Sequence, residues 1–157
     1  MERENAFMRE AISLGRKGML ADEGGPFGCV IVKDNVIVGR GWNQVTTLHD
    51  PTAHAEVMAI RDACQSLVAF QLSGCEVYSS CEPCPMCMGA LYWARPAVVY
   101  YGARHADAAA AGFDDSYIYA EVALPIDKRH LPMHNLIPET AASLFREWEA
   151  KENKINY

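Results

Sequence analysis

The stretch that decides the fold is Gly28–Arg40, which reads GCVIVKDNVIVGR. Two runs of mostly β-branched residues flank the pair Asp34-Asn35, and such pairs favour tight turns between antiparallel strands. The stretch therefore predicts a β-hairpin. Before it, apolar residues recur at helical spacing over residues 7–14, which predicts an amphipathic first helix.

After the hairpin, helical and strand patterns alternate along the chain. A helix is predicted to begin at residues 50–51, which read Asp-Pro, because Asp caps helices and Pro suits the first turn. A short strand is predicted over residues 76–79, and a second helix over residues 83–95. Residues 98–101 are apolar throughout, as expected of a buried strand, and residues 139–153 predict a final helix.

This order of elements predicts an α/β fold made of one domain over residues 1–157. Alternation of strands and helices implies parallel strand pairs with helices on both faces, and the hairpin makes the sheet mixed. We therefore expect a three-layer α/β/α architecture around a mixed central sheet of about five strands. Half of the residues are hydrophobic, which is enough to build a core without disulfides.

The composition also restricts the location and the partners of the chain. No apolar run approaches the ~20 residues of a membrane helix, and the charged N-terminus lacks a secretion signal, so a cytoplasmic location without membrane contact is predicted. The formal net charge is −6, which disfavours nucleic acid as a partner and favours a small neutral substrate. The six cysteines favour metal binding or catalysis over disulfides in such a chain.

Two short motifs carry chemistry: HAE at residues 54–56 and PCPMC at residues 83–87. Catalytic zinc takes three protein ligands and leaves a fourth position for water. His54, Cys84 and Cys87 supply that set for one zinc ion. The two cysteines are three positions apart, so both thiols lie on one side of a helix start, where the positive helix terminus favours thiolates.

Glu56 has a role that requires no bond to the metal. Its carboxylate can take a proton from zinc-activated water and deliver protons to a substrate. The two motifs together match the pattern of zinc nucleobase deaminases. Two other interpretations stay open: a structural zinc site with Cys81 as fourth ligand, which leaves Glu56 without a role, and an iron–sulfur site, for which Leu91 stands where another cysteine is needed.

The motifs and their surroundings, over residues 25–101, resemble the cytidine deaminase-like superfamily. Its guanine, tRNA adenosine and cytosine deaminase branches share both motifs. Three later stretches, at residues 92–95, 111–116 and 154–157, are similar to small bacterial guanine deaminases. The resemblance implies zinc-dependent hydrolysis of guanine to xanthine and ammonia, in which zinc-bound hydroxide attacks the amino-bearing ring carbon. It also implies a homodimer that exchanges a C-terminal segment, about residues 113–157, between subunits.

The same resemblance implies a set of substrate-binding residues. It assigns an aspartate of the Gly-Phe-Asp-Asp segment to the base, with Asp115 as the first choice and Asp114 as the alternative. It further implies contacts from Asn43 and from the backbone N–H of Ala55, and it makes Tyr157 part of a cover over the active site.

The chemistry of guanine independently favours an acidic residue in the pocket. Guanine presents two adjacent donors, N1–H and the N2 amino group, and one carboxylate can accept both. Taken alone, the two adjacent aspartates also suit a polar turn or a helix cap. Phe27 and Trp93 are candidates to stack on a flat base, although the spacing of Trp93 alone favours core packing. Glu82, beside the metal-binding segment, is interpreted as a cap of the helix that follows it, with a role in moving protons as the alternative.

The alternatives to guanine deamination are tRNA adenosine deamination, cytosine-type deamination and a non-catalytic zinc-binding module. The tRNA reaction needs a basic surface, which the net charge disfavours. The binding module predicts that Glu56→Gln leaves function intact, whereas a deaminase loses its turnover.

Overall fold

The predicted hairpin forms β1, Gly28–Lys33, and β2, Val36–Trp42. The two residues between the strands, Asp34 and Asn35, have φ angles of 50° and 65°. Both central residues of a type I′ hairpin turn have positive φ, which Asp and Asn adopt more readily than most residues. The hairpin prediction is therefore confirmed.

The computed structural model describes residues 1–157, which fall into two compact units, residues 1–115 and 116–157. In the first unit the hairpin is preceded by one helix and followed by six elements: α1 (Glu2–Leu20), then α2 (Val45–Leu48), α3 (Ala55–Leu67), β3 (Glu76–Cys81), α4 (Pro85–Ala94), β4 (Val98–Ala103) and α5 (His105–Ala110). The second unit contains α6 (Ser116–Ala123), a 3-10 turn (Ile126–Lys128) and α7 (Pro138–Ala150). None of these helices has both the length and the hydrophobicity required to span a membrane.

The first unit is built on a mixed sheet of four strands in the order β2-β1-β3-β4. β1 pairs antiparallel with β2 and β3, whereas β3 pairs parallel with β4. The prediction of a mixed α/β sheet is confirmed, with four strands instead of about five. The prediction that residues 98–101 are a buried strand is wrong about burial, because β4 lies at the sheet edge and leaves Tyr100 and Tyr101 38% and 49% exposed.

Helices cover both faces of this sheet. On one face, Ala11 and Leu14 of α1 pack with Val30, Val32 and Tyr78 of the strands. The cluster on the other face joins alternate residues of β1 and β3 to α3 and α4: Cys29, Ile31, Val77, Ala59, Ala63 and Leu91. Because successive strand residues point to opposite faces, the same two strands supply both clusters. The three-layer α/β/α architecture is confirmed for the first unit.

The two helices that carry the metal motifs begin later than predicted. α3 begins at Ala55 with His54 as its N-cap, and α4 has Cys84 as its N-cap. Asp50 does not cap α3, because its carboxylate accepts hydrogen bonds from the backbone N–H and the hydroxyl of Thr52, at 2.8 and 2.7 Å. A short turn stabilised by an aspartate thus replaces the first predicted helical turn.

Close packing holds the start of α3 against the sheet. A Cβ atom at Gly41 of β2 would collide with the backbone of Ala55 and Ala59. Glycine is therefore required there by the close approach of helix and strand. The packing fixes the position of residues 54–56, which follow directly from the turn before α3.

The second unit has no buried residue over residues 116–157. Both of its α-helices expose large apolar side chains, among them Tyr117, Ile118, Phe145 and Trp148. A polypeptide of this size gains little stability unless its apolar side chains are covered.

Candidate active site

Three potential metal ligands meet at the N-termini of α3 and α4. His54 Nδ1 lies 3.5 Å from Cys84 Sγ and 3.6 Å from Cys87 Sγ. The three ligand atoms all lie within 4.8 Å of one another. The fold therefore brings together the three metal ligands that the sequence predicts.

The spacing of these atoms fits tetrahedral zinc. With Zn–S bonds of about 2.3 Å and Zn–N bonds of about 2.0–2.1 Å, a tetrahedral angle separates N and S by about 3.6 Å. The two observed N–S distances, 3.5 and 3.6 Å, match this value. Cys81 does not belong to the group, so the donor set has three members, as in catalytic zinc sites.

One of the three donor atoms, the sulfur of Cys84, has a protonation state that suits a cation. The pKa of Cys84 is lowered to about 4, mainly because the Cys87 thiol donates a hydrogen bond to its sulfur and also because His54 donates one. The contact with Cys84 raises the pKa of Cys87, whose thiol is the donor. The hydrogen bond to Cys84 raises the pKa of His54 as well. Cys84 is thus a thiolate at neutral pH, which is the form that binds metal.

Glu56 lies beside the donor set and is buried, with 6% of its surface exposed. Ser79 of β3 donates its hydroxyl to Oε1 of Glu56 at 2.9 Å, and Cys87 Sγ lies 3.3 Å from Oε2. Burial raises the pKa of Glu56, because a buried carboxylate loses the solvation of its charge. A raised pKa suits a group that must both take up and release a proton near neutral pH.

A cavity of about 250 Å³ opens beside Glu56 and the metal-binding side chains. This volume lies a little below the ~300–1,000 Å³ of most small-molecule pockets, so the cavity suits a ligand of one small ring system. All of its lining residues belong to the first unit: Phe27, Asn43, His54, Ala55, Glu56, Cys81, Glu82, Cys84, His105, Ala108, Gly112, Phe113, Asp114 and Asp115. Most of the predicted substrate-binding residues are among them.

Asn43 is held with its amide nitrogen turned away from the backbone. Its Oδ1 accepts hydrogen bonds from the backbone N–H groups of Gly25, at 3.1 Å, and Val45, at 3.3 Å. Because both partners are donors, the amide oxygen must face them. A Cβ atom at Gly24 would collide with this amide, so glycine at that position keeps Asn43 in place. Asn43 therefore offers the cavity a hydrogen-bond donor.

The two candidate aspartates differ in their surroundings. Asp114 is exposed, whereas the side chain of Asp115 is 19% exposed and its Oδ1 lies 3.3 Å from His105 Nδ1. On the other side of the ring, His105 Nε2 lies 3.4 Å from Oε1 of Glu82, and the His105 backbone N–H donates to Oε2 at 3.3 Å. The interpretation of Glu82 as a cap of α4 is wrong, because its carboxylate binds the start of α5 and α4 has another N-cap.

The three aromatic residues that were predicted to contact the substrate lie in different parts of the structure. Phe27 lines the cavity and packs edge-on against Phe113, with ring centres 5.0 Å apart. Trp93 lies on α4, is 65% exposed and is not among the lining residues. Tyr157 belongs to the second unit and is 71% exposed. The roles of Trp93 and Tyr157 at a substrate stay predictions.

Two residues that shape the site were missed by the sequence analysis. Ser79 orients Glu56, and His105 contacts Asp115. A signal for them existed, because sites in α/β proteins form at the carboxyl ends of parallel strands. Ser79 lies near the end of β3, and His105 comes two positions after the last residue of β4.

A buried proton-transfer group next to a three-donor zinc site can activate water for attack on a ring carbon and then protonate a departing amine. On a mixed sheet with the donors at two helix starts, this chemistry defines the class of zinc-dependent deaminases. Residues 1–103 match the family described as the cytidine and deoxycytidylate deaminase zinc-binding region, and the chain belongs to that family. It is a hydrolytic enzyme, and zinc is its cofactor.

Individual relatives are similar over different shares of the chain. Guanine deaminase of Bacillus subtilis is 53% identical over 151 residues, which cover 96% of this chain and 97% of the relative. The X-ray structure of guanine deaminase from the same organism has a TM-score of 0.95 at 52% identity and covers 98% of both chains. The tRNA-specific adenosine deaminase of Aquifex aeolicus is 43% identical over 96 residues, which cover 61% of this chain and 60% of that relative. The match to guanine deaminase is long enough to include the second unit.

Proposed function

We propose that this chain catalyses the hydrolytic deamination of guanine, a small purine base, to xanthine and ammonia. Water adds to C2, the bond between C2 and the amino nitrogen breaks, and that nitrogen leaves as ammonia. The observation that carries the proposal is the carboxylate of Asp115 in the same cavity as Glu56 and the zinc-binding side chains. The likeness to guanine deaminase of Bacillus subtilis over 96% of this chain supports it.

Two polar groups of the cavity complement the edges of guanine. The carboxylate of Asp115 accepts hydrogen bonds from N1–H and from the N2 amino group. Adenine has no amino group at C2 and no proton on N1, so it leaves this acceptor unpaired. Asn43, whose oxygen is engaged by backbone N–H groups, donates its amide N–H to O6 or N7 of the base.

Two further groups suit a flat ring. The N–H of Ala55 belongs to the first turn of α3, where N–H groups have no acceptor within the helix, and it donates to the base. Phe27 offers an apolar ring for stacking, an interaction worth about 1–3 kcal/mol per base. Together these contacts bind the purine with its amino-bearing carbon toward Glu56.

Glu56 moves the protons of the reaction. His54, Cys84 and Cys87 would hold zinc, which when bound would lower the pKa of water to about 7 and so supply the nucleophile. Ser79 donates to Oε1 of Glu56, whereas Oε2 lies beside Cys87, which as a zinc ligand would be a thiolate and would donate no hydrogen bond. Oε2 is therefore the atom that accepts the proton of water and passes protons to N3 of the ring and to the leaving amino group.

Ammonia release from guanine, adenine, cytosine, cytidine and guanosine tests the substrate. We expect guanine to be turned over far faster than the others. Asp115→Ala is expected to lower kcat/KM for guanine by about 10²-fold or more, because hydrogen bonds to a charged acceptor are worth about 1.5–3 kcal/mol each. Turnover of cytosine or cytidine without turnover of guanine would overturn the substrate assignment.

Asp114→Ala is the matched control for this experiment. Because Asp114 is exposed, we expect its removal to change kcat/KM by less than about threefold. The zinc content of both variants, measured by metal analysis, is expected to equal that of the unmodified protein. A large loss in Asp114→Ala with normal activity in Asp115→Ala would assign base binding to Asp114.

The chain also forms, in our proposal, a single-domain homodimer that exchanges the segment of about residues 113–157 between subunits. The second unit has no buried residue, and its apolar side chains need a covering surface. The first unit exposes complementary apolar groups on two elements at one edge, α4 and β4: Tyr92, Trp93, Tyr100 and Tyr101. Exchange would bring Tyr157 of one chain to the substrate bound by the other.

Light scattering of the purified protein is expected to give twice the chain mass of 17.4 kDa. Co-expression of Glu56→Gln and Tyr157→Ala chains tests the exchange. In an exchanged mixed dimer, one site combines a normal Glu56 with a normal Tyr157, so activity should exceed that of either variant alone. Activity no higher than that of the Tyr157→Ala protein would contradict the exchange.

A cytoplasmic location is also part of the proposal. All six cysteines are free thiols, a state that a reducing compartment maintains. Two of these thiols are the proposed zinc ligands, which must stay reduced to bind the metal.

A further inference from the structure

His105 lies between two carboxylates in the wall of the cavity. Its Nδ1 is 3.3 Å from Oδ1 of Asp115, and its Nε2 is 3.4 Å from Oε1 of Glu82. All three residues line the cavity, and none of them is a zinc donor. The side chains form a continuous chain of contacts from the end of β3, through the start of α5, to the aspartate that we propose binds the base.

Each end of this chain of contacts is anchored differently. Glu82 is tied to the backbone, because its Oε2 accepts the His105 N–H at 3.3 Å and its own N–H donates to the carbonyl of Ala103 at 2.9 Å. Asp115 lies between α5, which ends at Ala110, and α6, which begins at the next residue, Ser116. The side chain of Asp115 is 19% exposed, and the ring of His105 contacts its Oδ1.

We infer that His105 is a positioning residue, which donates Nδ1–H to Oδ1 of Asp115 and so fixes this carboxylate for base recognition. A carboxylate only accepts hydrogen bonds when it is ionised, so the ring must be the donor in this contact. An oriented carboxylate meets N1–H and the N2 amino group without losing rotamer freedom on binding. This role rests on the proposed deamination of guanine, and it adds a residue that determines how tightly the base is bound.

The two ring nitrogens of His105 can be tested separately with side chains of similar size. The amide nitrogen of Asn lies near the position of Nδ1, and that of Gln lies near the position of Nε2. His105→Asn therefore keeps a donor for Asp115, whereas His105→Gln keeps a group only for Glu82. We expect KM for guanine to rise about tenfold or more in His105→Gln and His105→Ala, and by less than about threefold in His105→Asn, with kcat changed less than KM in each variant.

A double variant that carries both His105→Ala and Asp115→Ala distinguishes a positioning role of His105 from a general effect on the structure. If His105 acts through Asp115, His105→Ala should cause no further loss once Asp115 has been replaced. Independent, additive losses would overturn the proposal, because they would mean that His105 acts elsewhere. Equal losses in the Asn and Gln variants, together with lowered melting temperatures, would also overturn it.

A binding measurement tests the role of His105 independently of the proposed reaction. In a Glu56→Gln background, calorimetry with the guanine analogue 8-azaguanine reports recognition without turnover. We expect His105→Ala and His105→Gln to weaken binding about tenfold and His105→Asn to bind normally; unchanged binding in all three would overturn the inference. Absence of guanine turnover by the unmodified enzyme, with this binding pattern intact, would instead refute the proposed reaction alone.

Discussion

Glu56→Gln is expected to lower kcat for guanine by about 10²- to 10⁴-fold, because it removes the group that transfers protons. Gln has nearly the same size as Glu and its amide oxygen can still accept the hydrogen bond that Ser79 donates to Oε1. It cannot take a proton from water at Oε2. Ammonia release and metal analysis, measured on the same preparation, should therefore show lost turnover with zinc content unchanged.

Two further variants serve as comparisons for Glu56→Gln. Ser79→Ala leaves the carboxylate of Glu56 present but frees its Oε1, so we expect a smaller loss, about tenfold in kcat. Glu2→Gln, in the exposed first turn of α1, makes the same chemical change away from the site and should leave activity unchanged. A Glu56→Gln enzyme that keeps more than about a tenth of its kcat would show that another group transfers the protons.

The metal site was predictable because its determinants are local in sequence. His54 and Glu56 are two positions apart, a spacing that points side chains away from each other within a helix. The structure removes this difficulty, because His54 is an N-cap with extended backbone, at φ −72° and ψ 155°, and only Glu56 lies inside α3. Cys84 is an N-cap of the same kind. The structure therefore brings together the ligand set predicted from the short motifs, although both helices begin later than predicted.

The contacts among the other side chains of the cavity were less predictable, because they join distant parts of the chain. Ser79 and Glu56 are 23 positions apart, and so are His105 and Glu82. No local pattern marks such pairs. The pair of His105 and Glu82 arises because β3 and β4 lie side by side in parallel and end at the same edge of the sheet, and the pair of Ser79 and Glu56 joins β3 to α3. The order of the strands could not be predicted from the sequence either, because the same apolar pattern in residues 98–101 suits a central strand or an edge strand.

Removal of zinc by a chelator is expected to abolish deamination completely, and addition of zinc is expected to restore it. The reaction needs water with a pKa of about 7, and without the ion the pKa of water is far higher. Glu56 alone cannot compensate for that difference, because a carboxylate is far too weak a base to ionise unactivated water. The measurement is ammonia release before chelation, after chelation and after zinc is returned.

Substitutions of cysteine separate the ligands from the other thiols. Cys84→Ala removes one of three donors, so the zinc content should fall from about one ion per chain towards zero and activity should fall with it. Cys64→Ala is the matched control, since Cys64 is half-buried like Cys84 but lies outside the donor group. It should keep both metal and activity. If Cys84→Ala retained its zinc while Cys81→Ala lost it, the donor set would have to be redrawn around Cys81, and the three-ligand geometry that leaves a position open for water would no longer hold.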